Sequence, residues 1–258
     1  MTLTLELGHR AIVVGAAGTI GALTCRAYAT AGAAVLALDL DEDRARALVA
    51  VLPGGPHSAA GLDVTDLGAV RRAAAAAGEA GVSSVCYAAG VAPTFEVLSF
   101  DWDAYRQTLA VNLDGALHVA SAFGQVMAAA GRGGSFSFLS SVAGRRGEAG
   151  AAAYCASKFA LLGVVESFAA EAGRHGIRVN AICPGDVGSP MLTRVAGAQA
   201  TRRGSTVAAE LNAAAASAAL RRLVRPEEVA DVAVWLASAH ASAVTGAAID
   251  VTAGLGLT

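Results

Sequence analysis

An α/β architecture, a doubly wound parallel sheet with helices on both faces, is expected for this chain on three observations. Short, almost wholly apolar runs alternate with longer stretches of helical periodicity along the whole length. Continuous apolar strands suit a sheet buried on both faces, whereas a sheet facing water would alternate in polarity. The first apolar run leads through a glycine-rich turn into a helix, and the second ends in an acidic residue. No linker, repeat or break in composition interrupts the pattern, so residues 1–258 are expected to form one domain.

The elements follow in order. Ala11–Val14 is a short apolar run ending at Gly15, and Ile20–Ala31 then has helical spacing. Ala34–Leu38 is the second strand, and Asp41–Leu52 the second helix, with acidic residues in its first turn where the helix dipole favours them. A third strand is expected to end near Asp63, and further strands at Val82–Tyr87, Ser135–Leu139, Arg178–Ile182 and Ala247–Val251, with helices between. Asp186–Leu223 differs: it mixes Gly188, Pro190, Gly197 and Gly204 with an alanine-rich helical stretch, Val207–Leu220. A long insertion after the C-terminal end of a strand reads as a lid.

Composition excludes several classes. Charged residues make up only 16% of the chain and the net charge is −2, which gives no basic surface for nucleic acid or an anionic membrane. Cys25, Cys86, Cys155 and Cys183 are scattered, with no Cys-x-x-Cys and no paired histidines, so no metal is expected and reduced thiols are. Met1–Arg10 carries Glu6 and lacks the basic flank and apolar core of a leader. Arg26, Glu166 and Glu171 interrupt the longest apolar stretches. A soluble, cytoplasmic protein is the expectation. Abundant alanine and low charge also suggest helix surface shared between subunits.

A nucleotide site is suggested by Gly15-Ala-Ala-Gly18-Thr19-Ile20-Gly21 between the first strand and first helix. Glycines there permit a sharp turn, and the helix start offers unpaired N–H groups to a pyrophosphate. Close packing of helix on strand is the plainer explanation of the same glycines. Asp39 ends the second strand, where a carboxylate can accept both ribose hydroxyls of an adenosine and repel a 2′-phosphate. Leu40 follows it and the glycine loop holds no lysine or arginine, so NAD is favoured over NADP. Asp63, with Val64 beside it, either reaches the adenine edge or is a turn residue with Thr65 and Asp66.

Tyr154 and Lys158 stand one helical turn apart, with Ser141 upstream and Asn112 earlier still. A phenol ordinarily titrates near ~10 and is a poor base at neutral pH. A cation at i+4 lies on the same helix face and favours the phenolate. Phenol, ammonium and hydroxyl are the groups that proton transfer at an alcohol oxygen needs. Turn-capping or surface roles for each remain the plainer alternatives when they are taken singly.

In this order the motifs resemble the short-chain dehydrogenase/reductase family over nearly the whole chain. Val14–Gly21 is similar to its Thr-Gly-x-x-x-Gly-x-Gly loop, and Tyr87-Ala-Ala89-Gly90 to its Asn-Asn-Ala-Gly segment. Asn112, Ser141 and the Tyr154/Lys158 pair match its catalytic set, Arg178–Gly185 its Pro-Gly region, and Val244–Gly246 its C-terminal end. Three positions depart: Val14 for threonine and Tyr87 for asparagine, both in one corner, and Thr19 for the second glycine, which shifts the loop to Gly-x-x-Gly-x-x-Gly.

The resemblance implies a Rossmann-like fold and a homotetramer, and direct hydride transfer between NAD and a secondary alcohol or ketone without a metal. It implies Tyr154 as general acid/base and Lys158 lowering its pKa while holding the nicotinamide ribose. Ser141 would bond the substrate oxygen, and Asn112 would bond a water in a proton relay. Ala89, Gly90, Pro184, Gly185, Val187 and Ser189 would complete the cofactor site. The substrate pocket would be walled by Ala92–Phe95, Val142–Ala153 and the lid. Arg145, Arg146, Glu148, Arg202 and Arg203 are candidates to touch a polar or anionic substrate. Two other readings stay open: an NADPH-dependent ketoreductase, and a non-catalytic NAD(H)-binding sensor or scaffold.

Overall fold

A computed structural model describes residues 9–256, so the N-terminal segment read above for a leader lies almost wholly outside the described residues. Seven strands form one parallel sheet: β1 Arg10–Val14, β2 Ala34–Asp39, β3 Ser58–Gly61, β4 Ser84–Tyr87, β5 Gly134–Leu139, β6 Ile177–Pro184 and β7 Ala248–Val251. Their order is β3-β2-β1-β4-β5-β6-β7. The chain winds one way from β1 to β3 and the other way from β4 to β7. The direction reverses between β1 and β4, and ligands of open parallel sheets bind in the crevice beyond the strand ends at such a point.

Nine α-helices cover the two faces among the described residues: α1 Thr19–Thr30, α2 Glu42–Val49, α3 Leu67–Ala80, α4 Trp102–Leu109, α5 Gly115–Ala130, α6 Ala152–Ala172, α7 Pro190–Arg203, α8 Val207–Ser217 and α9 Pro226–Ala237. One core packs Val14, Val85, Tyr87, Phe136 and Phe138 against α3, α5 and α6; the other packs Ala11, Val13, Cys86 and Ile182 against α1 and α9. Every residue of β4 is buried, including Ser84 at its start, and Val85, Cys86 and Tyr87 make the rest of it apolar. Helix starts follow local chemistry. Asp41, Asp66 and Thr206 cap α2, α3 and α8 with their side chains, and Ser189 caps α7 ahead of Pro190.

The boundaries shift slightly from expectation. Asp41 caps α2 rather than opening it, β3 ends at Gly61 rather than at Asp63, and β4 begins at Ser84. In 186–223 the glycines had obscured a full helix, α7, which carries Gly197 in its interior. The base of this segment is stitched by a parallel bridge between Val187 and Val224, with Gly188 N donating to Val224 O at 3.0 Å and Val224 N to Asp186 O at 2.9 Å. One stretch, Ala152–His175, is long and apolar enough to cross a bilayer. Here it packs along β6 and carries Lys158, Glu166 and Glu171, which accounts for it as a helix of the fold.

Candidate active site

The glycine loop sits at the reversal point because β1 ends there. Gly15 has φ +83, and a methyl on it would stand 2.4 Å from Ala89 N; one on Gly21 would stand 2.0 Å from Gly15 O. Both glycines are therefore required by backbone packing. Gly18 is different: with φ −72 it is the extended residue before α1, and Thr19 is already helical. A β-branched residue fits there without strain, and the shifted spacing is a regular helix start. No side chain caps α1, which leaves its first N–H groups open to an anion, and Ile20 lines the adjoining cleft.

At the far end of the loop, Asp39 is tied to it: Ala17 N donates to Oδ2 at 2.7 Å and Asp41 N to Oδ1 at 3.0 Å. Each oxygen keeps a lone pair for a ribose hydroxyl. Arg44 reaches across from α2 and donates to Ala17 O at 2.7 Å, a residue the sequence reading passed over. Its signal was a cation in the first turn of a helix, against the dipole. The exposed Asp63 accepts from Thr65 N at 2.9 Å and Thr65 Oγ1 at 2.7 Å, which holds its carboxyl below the usual range. That is the turn role, and it occupies one carboxylate oxygen. Val64 is buried, and its carbonyl meets His118 Nδ1 at 2.8 Å.

Asn112 lies in a π-helical turn, Ala110–Asp114, between α4 and α5. The turn directs its amide inward, where it is fully buried. Oδ1 accepts from Val91 N at 2.9 Å; Nδ2 donates to Val91 O at 2.9 Å and to Ser157 Oγ at 3.0 Å. Both amide hydrogens are thus committed within the protein, and Ser157, itself bonded to Tyr154 O at 2.7 Å, is a second residue the sequence did not single out. The side chain fixes the Val91 loop to α6.

Lys158 is buried, its Nζ donating to Leu139 O at 2.6 Å and lying 5.6 Å from the centre of the Tyr154 ring. Desolvation pushes its pKa from 10.5 down to about 8. Tyr154 goes the other way: burial pushes it up to about 12, the hydrogen bond with Ser141 opposes this, and the Glu148 charge adds to it. In this arrangement the Lys158 ammonium is bonded to Leu139 O, and burial is the largest influence on the phenol. Ser141, in extended conformation, also accepts from Ala143 N at 3.1 Å, and the turn that follows packs against α6.

Ser141, Tyr154 and Lys158 line one cleft together with Ala89, Gly90, Pro184, Gly185, Val187 and Ser189, so most of the residues singled out from sequence converge. The cleft encloses ≈ 1090 Å³, its open mouth included. Apolar walls come from Ala92, Pro93 and Val142, and from Met191, Leu192 and Val195 of α7. Of the candidate charged residues, Arg145 is committed elsewhere: it pairs with Asp250 at 3.0 Å and donates to Ala248 O at 2.6 Å, fixing its loop to β7. Arg203 pairs with the buried Glu210 at 2.7 Å, joining α7 to α8. Glu148 and Arg202 do line the cleft, and so does Asp186, which the sequence reading had used only as a boundary.

A sheet that reverses beside an open helix start, next to a half-buried phenol and a buried lysine, defines an α/β protein of the nucleotide-binding kind. Comparison with known proteins agrees. A family model described as enoyl-(acyl carrier protein) reductase matches residues 15–256. D-threitol dehydrogenase of Mycolicibacterium smegmatis is 38% identical over 255 residues, covering 96% of this chain and 92% of the relative. A canine (3R)-3-hydroxyacyl-CoA dehydrogenase (Canis lupus familiaris) is 34% identical over 257 residues, covering 95% of each. Among solved structures, a variant of actinorhodin polyketide ketoreductase with NADPH superposes with TM-score 0.92 at 27% identity, over 97% of this chain and 98% of that one. The chain belongs to the short-chain dehydrogenase/reductase family.

Proposed function

We propose that this protein is an NAD-dependent oxidoreductase that interconverts a secondary alcohol and a ketone, with Tyr154, Lys158, Ser141 and Asn112 as its catalytic set. The observation that carries the reading is the convergence of Ser141, Tyr154 and Lys158 on one cleft at the sheet's reversal point. The loop from Gly15 to Gly21, Asp39, Asp63, Val64, Ala89, Gly90, Pro184, Gly185, Val187 and Ser189 would hold the dinucleotide. The nicotinamide supplies hydride acceptance or donation when bound.

The rest falls to the chain. Ser141 and Tyr154 together hold the reacting oxygen; Tyr154 gives it a proton in reduction and removes one in oxidation. A positive charge brought beside the phenol favours its ionised form, so Lys158 assists once its ammonium turns toward Tyr154. Asn112 acts by position, fixing the Val91 loop and Ser157 behind the tyrosine. Residues 186–223 act as the lid of this single domain, with α7 as its inner wall.

NAD is favoured by Asp39, whose carboxylate repels a 2′-phosphate. The NADPH-dependent ketoreductase is the second reading, and Arg44 at the loop mouth is the observation in its favour. A homotetramer is supported by the groove between α5 and α6, where small and apolar residues such as Gly124, Gly163, Val164 and Phe168 meet the outer surface and Leu117 stands exposed. We place the protein in the cytoplasm and expect a small-molecule substrate. Parallel fluorescence titrations with NADH and NADPH test the cofactor reading. Tyr154→Phe tests the mechanism: turnover should fall by about 10³-fold or more while NADH binding is kept. Undiminished turnover in that variant would end the mechanism.

A further inference from the structure

We propose that Glu148 and Asp186 make this cleft selective for a neutral substrate bearing a second hydroxyl next to the reacting one, a vicinal diol or polyol. The inference rests on the alcohol-oxidoreductase reading above and names its substrate class. Both residues line the cleft with Ser141, Tyr154 and Lys158, Glu148 from the loop that joins Ser141 to Tyr154 and Asp186 from the segment just after β6. They lie close enough for the Asp186 charge to act on Glu148, and the Glu148 charge acts on the Tyr154 phenol. Among the described residues neither carboxylate accepts a hydrogen bond or closes an ion pair.

A carboxylate is an acceptor only, and leaving one unpaired in a partly desolvated wall is unfavourable until a donor arrives. Ala92, Pro93, Val142 and Ala149 of the surrounding wall are apolar, and Gln199 and Arg202, which also line the cleft, make no hydrogen bond to either carboxylate. A hydroxyl on the carbon next to the reacting one supplies that donor within the same cleft. A substrate carboxylate or phosphate there would bring a third negative charge beside two existing ones. An ammonium group is the other partner that carboxylates favour, but Arg146 already acts on both of these with positive charge. A neutral donor meets both conditions.

The test compares kcat/KM for butan-2-ol, butane-2,3-diol, 3-hydroxybutyrate and 3-aminobutan-2-ol with saturating NAD. It uses the wild type, Glu148→Gln and Asp186→Asn, with NADH binding verifying the fold of each. The wild type should prefer the diol over butan-2-ol by about tenfold or more, the factor expected of one hydrogen bond to a charged acceptor, and should use 3-hydroxybutyrate least. Each variant should lower the diol-to-butan-2-ol ratio by about 3- to 10-fold and narrow the gap to 3-hydroxybutyrate. Turnover without diol preference, a ratio untouched in both variants, or preference for the amino alcohol would overturn the inference and leave the oxidoreductase reading standing. Binding of NADH with no turnover of any of the four alcohols would remove the oxidoreductase reading itself.

Discussion

Lys158→Met should stabilise the protein at neutral pH while disabling it. The ammonium is buried with a single hydrogen bond, to Leu139 O, and desolvation drives its pKa from 10.5 to about 8. A lysine whose folded pKa lies below its unfolded one costs stability in full below the folded value, and the cost is relieved as pH rises toward the unfolded value. At pH ~7 that cost is about 3 kcal/mol, and by pH ~9.5 about 2 kcal/mol of it has been recovered. Methionine fills the same channel without a charge and forfeits the bond to Leu139 O, a loss of about 1–2 kcal/mol. The balance favours the variant by about 1–2 kcal/mol near pH 7, or a Tm higher by about 2–8 °C for a chain of this size, and reverses near pH 9.5. Thermal unfolding of both proteins at equal concentration, at the two pH values, reads this directly. A variant less stable at pH 7, or a difference that ignores pH, would refute the buried-ammonium argument.

Two further outcomes follow from the same geometry. Because burial pushes Tyr154 up to about 12, the phenol is protonated at neutral pH; alcohol oxidation, which needs it ionised, should accelerate between pH ~7 and ~9 by up to tenfold per unit, while ketone reduction should not. An oxidation rate that is flat over that range in kcat/KM would remove Tyr154 as the base. At Gly115 a methyl would stand 2.6 Å from the Tyr87 hydroxyl and 2.8 Å from Val64, so Gly115→Ala should cost about 1–3 kcal/mol. An unchanged melting temperature would show that this corner yields more easily than its contacts imply.

Most of the sheet was legible because burial on both faces leaves strands little choice but to be apolar. Ile12, Val13, Val85 and Phe136 announce themselves by composition alone. β3 was the faint one: Ser58–Gly61 is a partly exposed strand near the sheet's edge with little apolar content, and its end was misplaced by two residues. The positions of Ser141, Tyr154 and Lys158 were legible from spacing, since they sit at strand ends and on one helix face. The electrostatics were not. Whether Lys158 lowers the phenol depends on where a flexible ammonium points, and Leu139 O, the group that captures it, carries no sequence signature. Arg44 and Asp186 escaped for a related reason: each acts on a neighbour brought close only by the fold, Ala17 in one case and Glu148 in the other.

The presence of Val14 and Tyr87 in place of a polar pair shows how such a corner can be rebuilt. The two are register partners across β1 and β4, and both are buried in the same core. With an apolar residue at position 14, nothing on β1 asks for a hydrogen bond, and the phenol at position 87 extends past it to donate to Val111 O. That carbonyl belongs to the π turn, where the widened helix departs from the regular i→i−4 pattern. Gly115 provides the space for the phenol tip. The tyrosine therefore braces the turn that aims Asn112 at Val91 and Ser157, and so supports the backbone behind Tyr154 from a distance. A residue that reads as a departure from the family pattern becomes, in three dimensions, part of the support for the helix that carries Tyr154 and Lys158.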